Sequence, residues 1–165
     1  FKPSQNISRA FFDYLVDNHA LGHDGFHGMD HWVRVLENAR ELATATGANL
    51  RVVELFAVLH DSQRENEDYD PDHGRRAATY AQSLHGHWFE LSARELELLI
   101  KACYYHADGL TKAEPTVQAC WDADRLDIGR VGLRLDPRFL CTAYAQRPQV
   151  ILAAYRRSTK RSAAM

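Results

Sequence analysis

Histidine is the side chain best suited to hold a divalent metal or to move a proton near neutral pH, and this chain of 165 residues carries nine. His19, His23, His27 and His31 recur every four residues, but Gly22, Gly25 and Gly28 fall among them. A continuous helix is therefore not expected, and only His31 should enter regular helix, with His27 on its approach. The sharpest signal is His60-Asp61, which closes the apolar run Val52-Val53-Glu54-Leu55-Phe56-Ala57-Val58-Leu59. A buried imidazole and carboxylate at that point need a partner, which is either each other, a helix end or a metal ion. Further along, Cys120-Trp121-Asp122-Ala123-Asp124-Arg125-Leu126-Asp127 sets three carboxylates into an otherwise apolar helix. Asp122 and Asp124 stand about 200° apart on a helix, so at most one of them faces a common centre. Asp124 shares its face with Cys120 and Ile128, whereas Asp122 shares one with Gln118 and Leu126. Asp124 is thus expected to point inward, with Asp122 in a supporting or capping role.

The elements that must position these groups read as helices. Ile7, Ala10, Phe11, Tyr14 and Leu15 have helical spacing, as do Trp32, Leu36, Ala39 and Ala43, and Gly47 is placed to stop the second stretch. The run 52–59 has no period-two neighbour to pair with and is expected to be a buried helix. A loop over 62–72 leads to a helix capped by Asp72, and Ser92-Ala93-Arg94-Glu95 reads as a capping box. Pro115-Thr116 opens another helix, and Asp136-Pro137 and Arg147-Pro148 frame two final helical stretches. The expected fold is all-α, a compact bundle of six to eight helices forming one domain over residues 1–165.

Apolar residues at 45%, charged residues at 25% and a net charge of −2 describe an ordinary globular chain, with no bulk attraction for a nucleic-acid polymer or an anionic membrane. The basic cluster Arg156, Arg157, Lys160 and Arg161 is read as a solvated helix end running into a tail over 156–165. No apolar run approaches a membrane span and the Phe1-Lys2-Pro3-Ser4 start has no leader pattern, so a cytoplasmic protein is expected. Cys103, Cys120 and Cys141 lack Cys-x-x-Cys spacing and are expected to be structural thiols. Oligomeric state is not readable from the sequence.

His31, the His60-Asp61 doublet and Asp124, in that order, resemble the signature of the HD-domain superfamily of metal-dependent phosphohydrolases. The likeness extends to His31-Trp32-Val33-Arg34-Val35, Leu59-His60-Asp61-Ser62-Gln63-Arg64, Asp72-His73-Gly74-Arg75-Arg76-Ala77-Ala78 and Trp121-Asp122-Ala123-Asp124-Arg125-Leu126-Asp127, within core motifs spanning 27–132. His27 resembles a histidine of small nucleoside-triphosphate pyrophosphohydrolases, but Gly28 stands where those proteins commonly have Asp, so their substrate is not carried over.

The resemblance implies His31, His60, Asp61 and Asp124 as ligands of a divalent metal (Mn, Fe, Zn, Ni or Mg) that activates water for attack on phosphorus. Asp61, His27 and Arg64 would be catalytic, and His73, His106, Arg75 and Arg125 would bind a small phosphorylated substrate, with nucleotides among the candidates. Two alternatives remain at this point. Some HD proteins hold two irons and oxidise substrates with O₂, for which His73 and His106 offer a second metal position. A non-catalytic nucleotide-binding module is the other. His19, His23, His85 and His87 are expected to be surface residues.

Overall fold

Most helices begin where a side chain accepts orphan backbone N–H groups or where a glycine releases the chain. The computed structural model describes residues 1–22 and 25–160. Ser8 accepts from Phe11 N (3.1 Å) to start α1 (Arg9–Asp17), and Gly28 opens α2 (Met29–Thr46). Gly47, at φ 76°, ends α2 in the left-handed region that glycine occupies without strain. Asn49 caps α3 (Leu50–Leu59), and α4 spans His73–Leu84. The expected capping box at Ser92 and Glu95 starts α5 (Ala93–Tyr105). Glu114 caps α6 (Pro115–Arg125), and α7 (Pro148–Thr159) completes an all-α fold with no sheet among the described residues.

Three expectations are corrected. Asp72 precedes α4, but its backbone (φ −96°, ψ 2°) is not extended as a capping residue's usually is, so its carboxylate makes no cap and lies 3.5 Å from Arg75 instead. The stretch opened by Asp136-Pro137 is only a 3₁₀ turn over Pro137–Phe139, because Leu140 returns to extended backbone. Arg157 is not merely solvated: it donates to Asn38 Oδ1 (2.8 Å) and lies 3.5 Å from Glu41, docking the basic end of α7 on α2. Arg161 lies outside the described residues.

Helix α3 is the centre of the core. Every residue from Val52 to Leu59 is buried, and the helix packs against α2 on one side and α5 and α6 on the other. Its one charged residue there, Glu54, is matched by Arg40 Nε (2.8 Å), Ser4 Oγ (2.7 Å) and Asn6 Nδ2 (3.0 Å), as a buried carboxylate requires. Trp121 Nε1 donates to Ala102 O (3.0 Å) and Asn38 Nδ2 to Ala123 O (3.0 Å), tying α6 to α5 and to α2. Gly74 lets α4 approach α5 closely, since a Cβ there would sit 2.7 Å from Tyr104 O and 2.8 Å from Cys103 O. Cys103 and Cys120 are fully buried and unbridged, and burial pushes both thiols up, keeping them protonated.

Asp122 is fully buried and faces away from the histidines. It accepts from Cys141 N (2.7 Å), Thr142 N (2.9 Å) and Thr142 Oγ1 (2.7 Å), fixing the chain between Phe139 and α7. Asp122→Ala strands two amides and is expected to cost about 3 kcal/mol. For a chain of this size that lowers Tm by roughly 6–12 °C, readable by differential scanning calorimetry, with metal content retained.

Candidate metal centre

The end of α3, the start of α2 and the end of α6 meet at one point. His31 Nε2 lies 3.1 Å from His60 Nε2 and 3.2 Å from Asp124 Oδ1, and His60 Nε2 lies 3.3 Å from Asp124 Oδ1. Asp61 Oδ2 joins them at 3.3 Å from His31 and 3.5 Å from His60. The four residues that the resemblance implies as ligands therefore converge from three helical regions.

A second group lies on the other side of the same carboxylate. Asp61 Oδ1 is 3.3 Å from His73 Nε2 and 3.4 Å from His106 Nε2, which are themselves 2.9 Å apart. His31, His60 and Asp124 form one trio of potential ligand atoms, and Asp61, His73 and His106 form another. His73 and His106, expected at the substrate, stand with the second trio.

Hydrogen bonding shows why a cation fits. His60 Nδ1 lies 3.1 Å from both Phe56 O and Ala57 O, His73 Nδ1 lies 2.6 Å from Asp70 O, and His106 Nδ1 lies 2.7 Å from Cys103 O. A carbonyl only accepts, so each Nδ1 carries the hydrogen. His31 Nδ1 is placed in the same way against Asp127 Oδ2 (2.7 Å). In the neutral imidazoles all four Nε2 atoms are therefore lone-pair donors, packed against one another and against carboxylate oxygens, so a cation, whether a metal ion or a proton, is needed between them. Only cations satisfy such an arrangement, and residues that fix the far side of ligating imidazoles are its usual companion.

In the metal-free chain a proton takes that role at His31. Burial and the Arg130 charge push this imidazole down, but hydrogen bonds to Asp124, Asp127 and Asp61 prevail and raise it to about 9. Burial raises the carboxyls of Asp61 and Asp124, and the facing histidines, His60 foremost, overcome it to hold both well below the usual carboxylate range.

The surrounding residues divide clearly. His27 Nδ1 donates to Asp61 Oδ2 (2.9 Å), and its Nε2 faces Glu67 Oε2 at 3.8 Å. Arg64 is buried with Nε 3.7 Å from Asp61 Oδ1, too far for a hydrogen bond, and that N–H has no protein acceptor. Arg125 lies over the ring of Trp121 and Arg75 lies on the exposed start of α4 against Asp72, and neither makes an ion pair with a trio residue among the described residues. His19 is buried, contrary to expectation: its Nδ1 donates to Ser62 O (3.2 Å) and its ring packs edge-on against Trp32. His85 is half-buried against Leu91, His87 is exposed, and His23 lies outside the described residues.

Three further residues, assigned no role from the sequence alone, join the site: Asp127, Arg34 and Glu67. Asp127 follows Asp124 by three positions, which puts it on the same helical face, and that spacing is the one signal of it in the sequence. Arg34 Nε grips Asp127 Oδ1 at 2.7 Å, so a buried chain of contacts runs from Arg34 through Asp127 to His31. Asp127→Asn removes the charge that orients His31, and metal affinity of the first trio is expected to fall about 10- to 100-fold. Titration of metal-free protein checks this, with the fold monitored by circular dichroism.

No family model and no curated protein sequence matches the chain. A solved structure of a predicted HD superfamily hydrolase from an uncultured Thermotogales bacterium is similar to it, with 28% identity, a TM-score of 0.70, and coverage of 90% of this chain and 84% of that one. The chain has the HD-domain fold, and its His/Asp clusters support a metal-dependent function of HD type. No described helix is long and apolar enough to cross a membrane.

Proposed function

We propose that this HD-fold protein is a two-metal phosphohydrolase acting on a small phosphate ester, nucleotides included. The observation that carries the reading is Asp61, whose two oxygens face two separate groups of histidine ligands. His31, His60, Asp124 and Asp61 Oδ2 would hold one ion, and Asp61 Oδ1, His73 and His106 the other. Imidazole-rich donors suit Mn²⁺, Fe²⁺, Zn²⁺ or Ni²⁺ better than Mg²⁺. Such ions lower the pKa of bound water and neutralise charge on a phosphoryl group.

The chain's own residues have distinct tasks in this reading. Asp61 is engaged through both oxygens and lies well below the usual carboxylate range, so it would hold both ions and is a weak base. His27, bonded to Asp61 and backed by Glu67 at 3.8 Å, is the group left to move a proton. Arg64 presents its unsatisfied Nε–H beside the bridge, where a phosphate oxygen would accept it. Asp127 and Arg34 hold His31 in orientation.

Elemental analysis with phosphate release from a panel of esters tests the proposal, and two ions per chain with metal-dependent release is the expected result. The double trio also suits two irons and O₂-dependent oxidation, which O₂ uptake without phosphate release would establish in its place. Tight nucleotide binding with no turnover would favour a non-catalytic module.

A further inference from the structure

Beside the second trio lies a cavity of about 420 Å³, within the usual range for a small-ligand site, with His106 in its wall. Arg125, Leu133, Arg134, Leu135 and Phe139 are among the other residues that line it. Leu133 and Phe139 are 55% and 57% exposed, an apolar surface that the fold itself does not use.

The charge at this cavity is one-sided. Among the described residues neither Arg125 nor Arg134 has a carboxylate within ion-pair distance. Arg125 spends Nη1 on Phe139 O (2.8 Å), and its buried Nη2 has no acceptor. Arg134 stacks over Tyr155 at 5.2 Å, which holds the guanidinium in place and leaves its N–H groups free. Asp136, the acidic residue of the wall, is already held by Arg138 at 2.8 Å and 3.0 Å.

We infer that this cavity binds the organic part of the substrate, and that this part is an apolar, ring-sized body carrying a second negative group at its far end. The inference rests on the phosphohydrolase reading, which places the reacting phosphate at the histidines while the cavity's wall begins at His106. Leu133, Leu135 and Phe139 cover the apolar body, and Arg125 with Arg134 receive the distal anion. An ester with a small neutral alcohol leaves both arginines without an anionic partner.

Isothermal titration of metal-loaded protein with methylphosphonate, benzylphosphonate and 4-carboxybenzylphosphonate tests this. Affinity is expected to rise through the series, by about tenfold at the added carboxylate, as one well-placed charged hydrogen bond gives. Arg134→Ala, at an exposed position, is expected to erase the carboxylate step, and Leu133→Asp the benzyl step. Equal affinities across the series, or a carboxylate step that survives Arg134→Ala, would overturn the inference. Failure of methylphosphonate to bind loaded protein counts against the metal reading alone. The same comparison of 4-carboxybenzylphosphonate with methylphosphonate on metal-free protein then decides the cavity by itself, a preference lost in Arg134→Ala supporting it and no preference overturning it.

Discussion

Asp61→Ala is expected to reduce bound metal from about two ions per chain to less than one and to lower turnover on the order of 10³-fold. Among the described residues no other substitution touches both trios, because there only Asp61 presents an oxygen to each. The loss corresponds to about 4 kcal/mol of transition-state stabilisation, as expected where charge neutralisation by metal is removed. Asp61→Asn keeps the volume but not the charge, and should share the defect. Elemental analysis and phosphate release on one preparation check both, and a variant that keeps two ions would show that Asp61 does not bridge.

Metal binding is expected to stabilise the fold by an amount that grows with pH. At a hundredfold excess over Kd, an ion that binds only the folded state adds about 2.7 kcal/mol, or roughly 5–11 °C in Tm for a chain of this size. His31 gives the sign of the pH dependence. Its metal-free pKa is raised to about 9 from 6.5. The stability it gives the metal-free fold is complete below 6.5 and is lost as pH rises through 9. Over the same window a metal ion must displace the proton, so apparent affinity rises by up to tenfold per unit and levels off above about 9. Asp61 and Asp124, held low, stay ionised throughout. Thermal shift with and without Mn²⁺ between pH 6.5 and 9 checks this, and an increment that shrinks with rising pH would refute the His31 assignment.

Much of the first trio and its scaffold is legible in the amino-acid sequence. The apolar run 52–59 implies a buried helix, and His60-Asp61 at its end must find partners in the core. The half-turn offset between Asp122 and Asp124 sorts two identical side chains into opposite roles, one toward the histidines and one toward Cys141 and Thr142. What the sequence conceals depends on chain segments distant from one another. His73 and His106 lie 33 positions apart and meet only because α4 lies against α5. His19 is buried because the segment after α1 folds onto Trp32 and Ser62, a contact with no local pattern. Arg75 belongs to the same sequence block as His73 yet faces solvent, since adjacency along the chain says nothing of which way the helix turns.

Gly74 makes the two trios mechanically unequal. The first trio is set by α2, α3 and α6 around the core, whereas the distance between His73 and His106 depends on two helices in near backbone contact at one missing methyl group. Packed interiors compress and expand little. A cation too wide for that gap would have to part α4 from α5, and one too narrow would be left short of a ligand. In the two-metal reading the second position would thus select by ionic radius, through the stiffness of a helix pair, while the first would select by the chemistry of its donors.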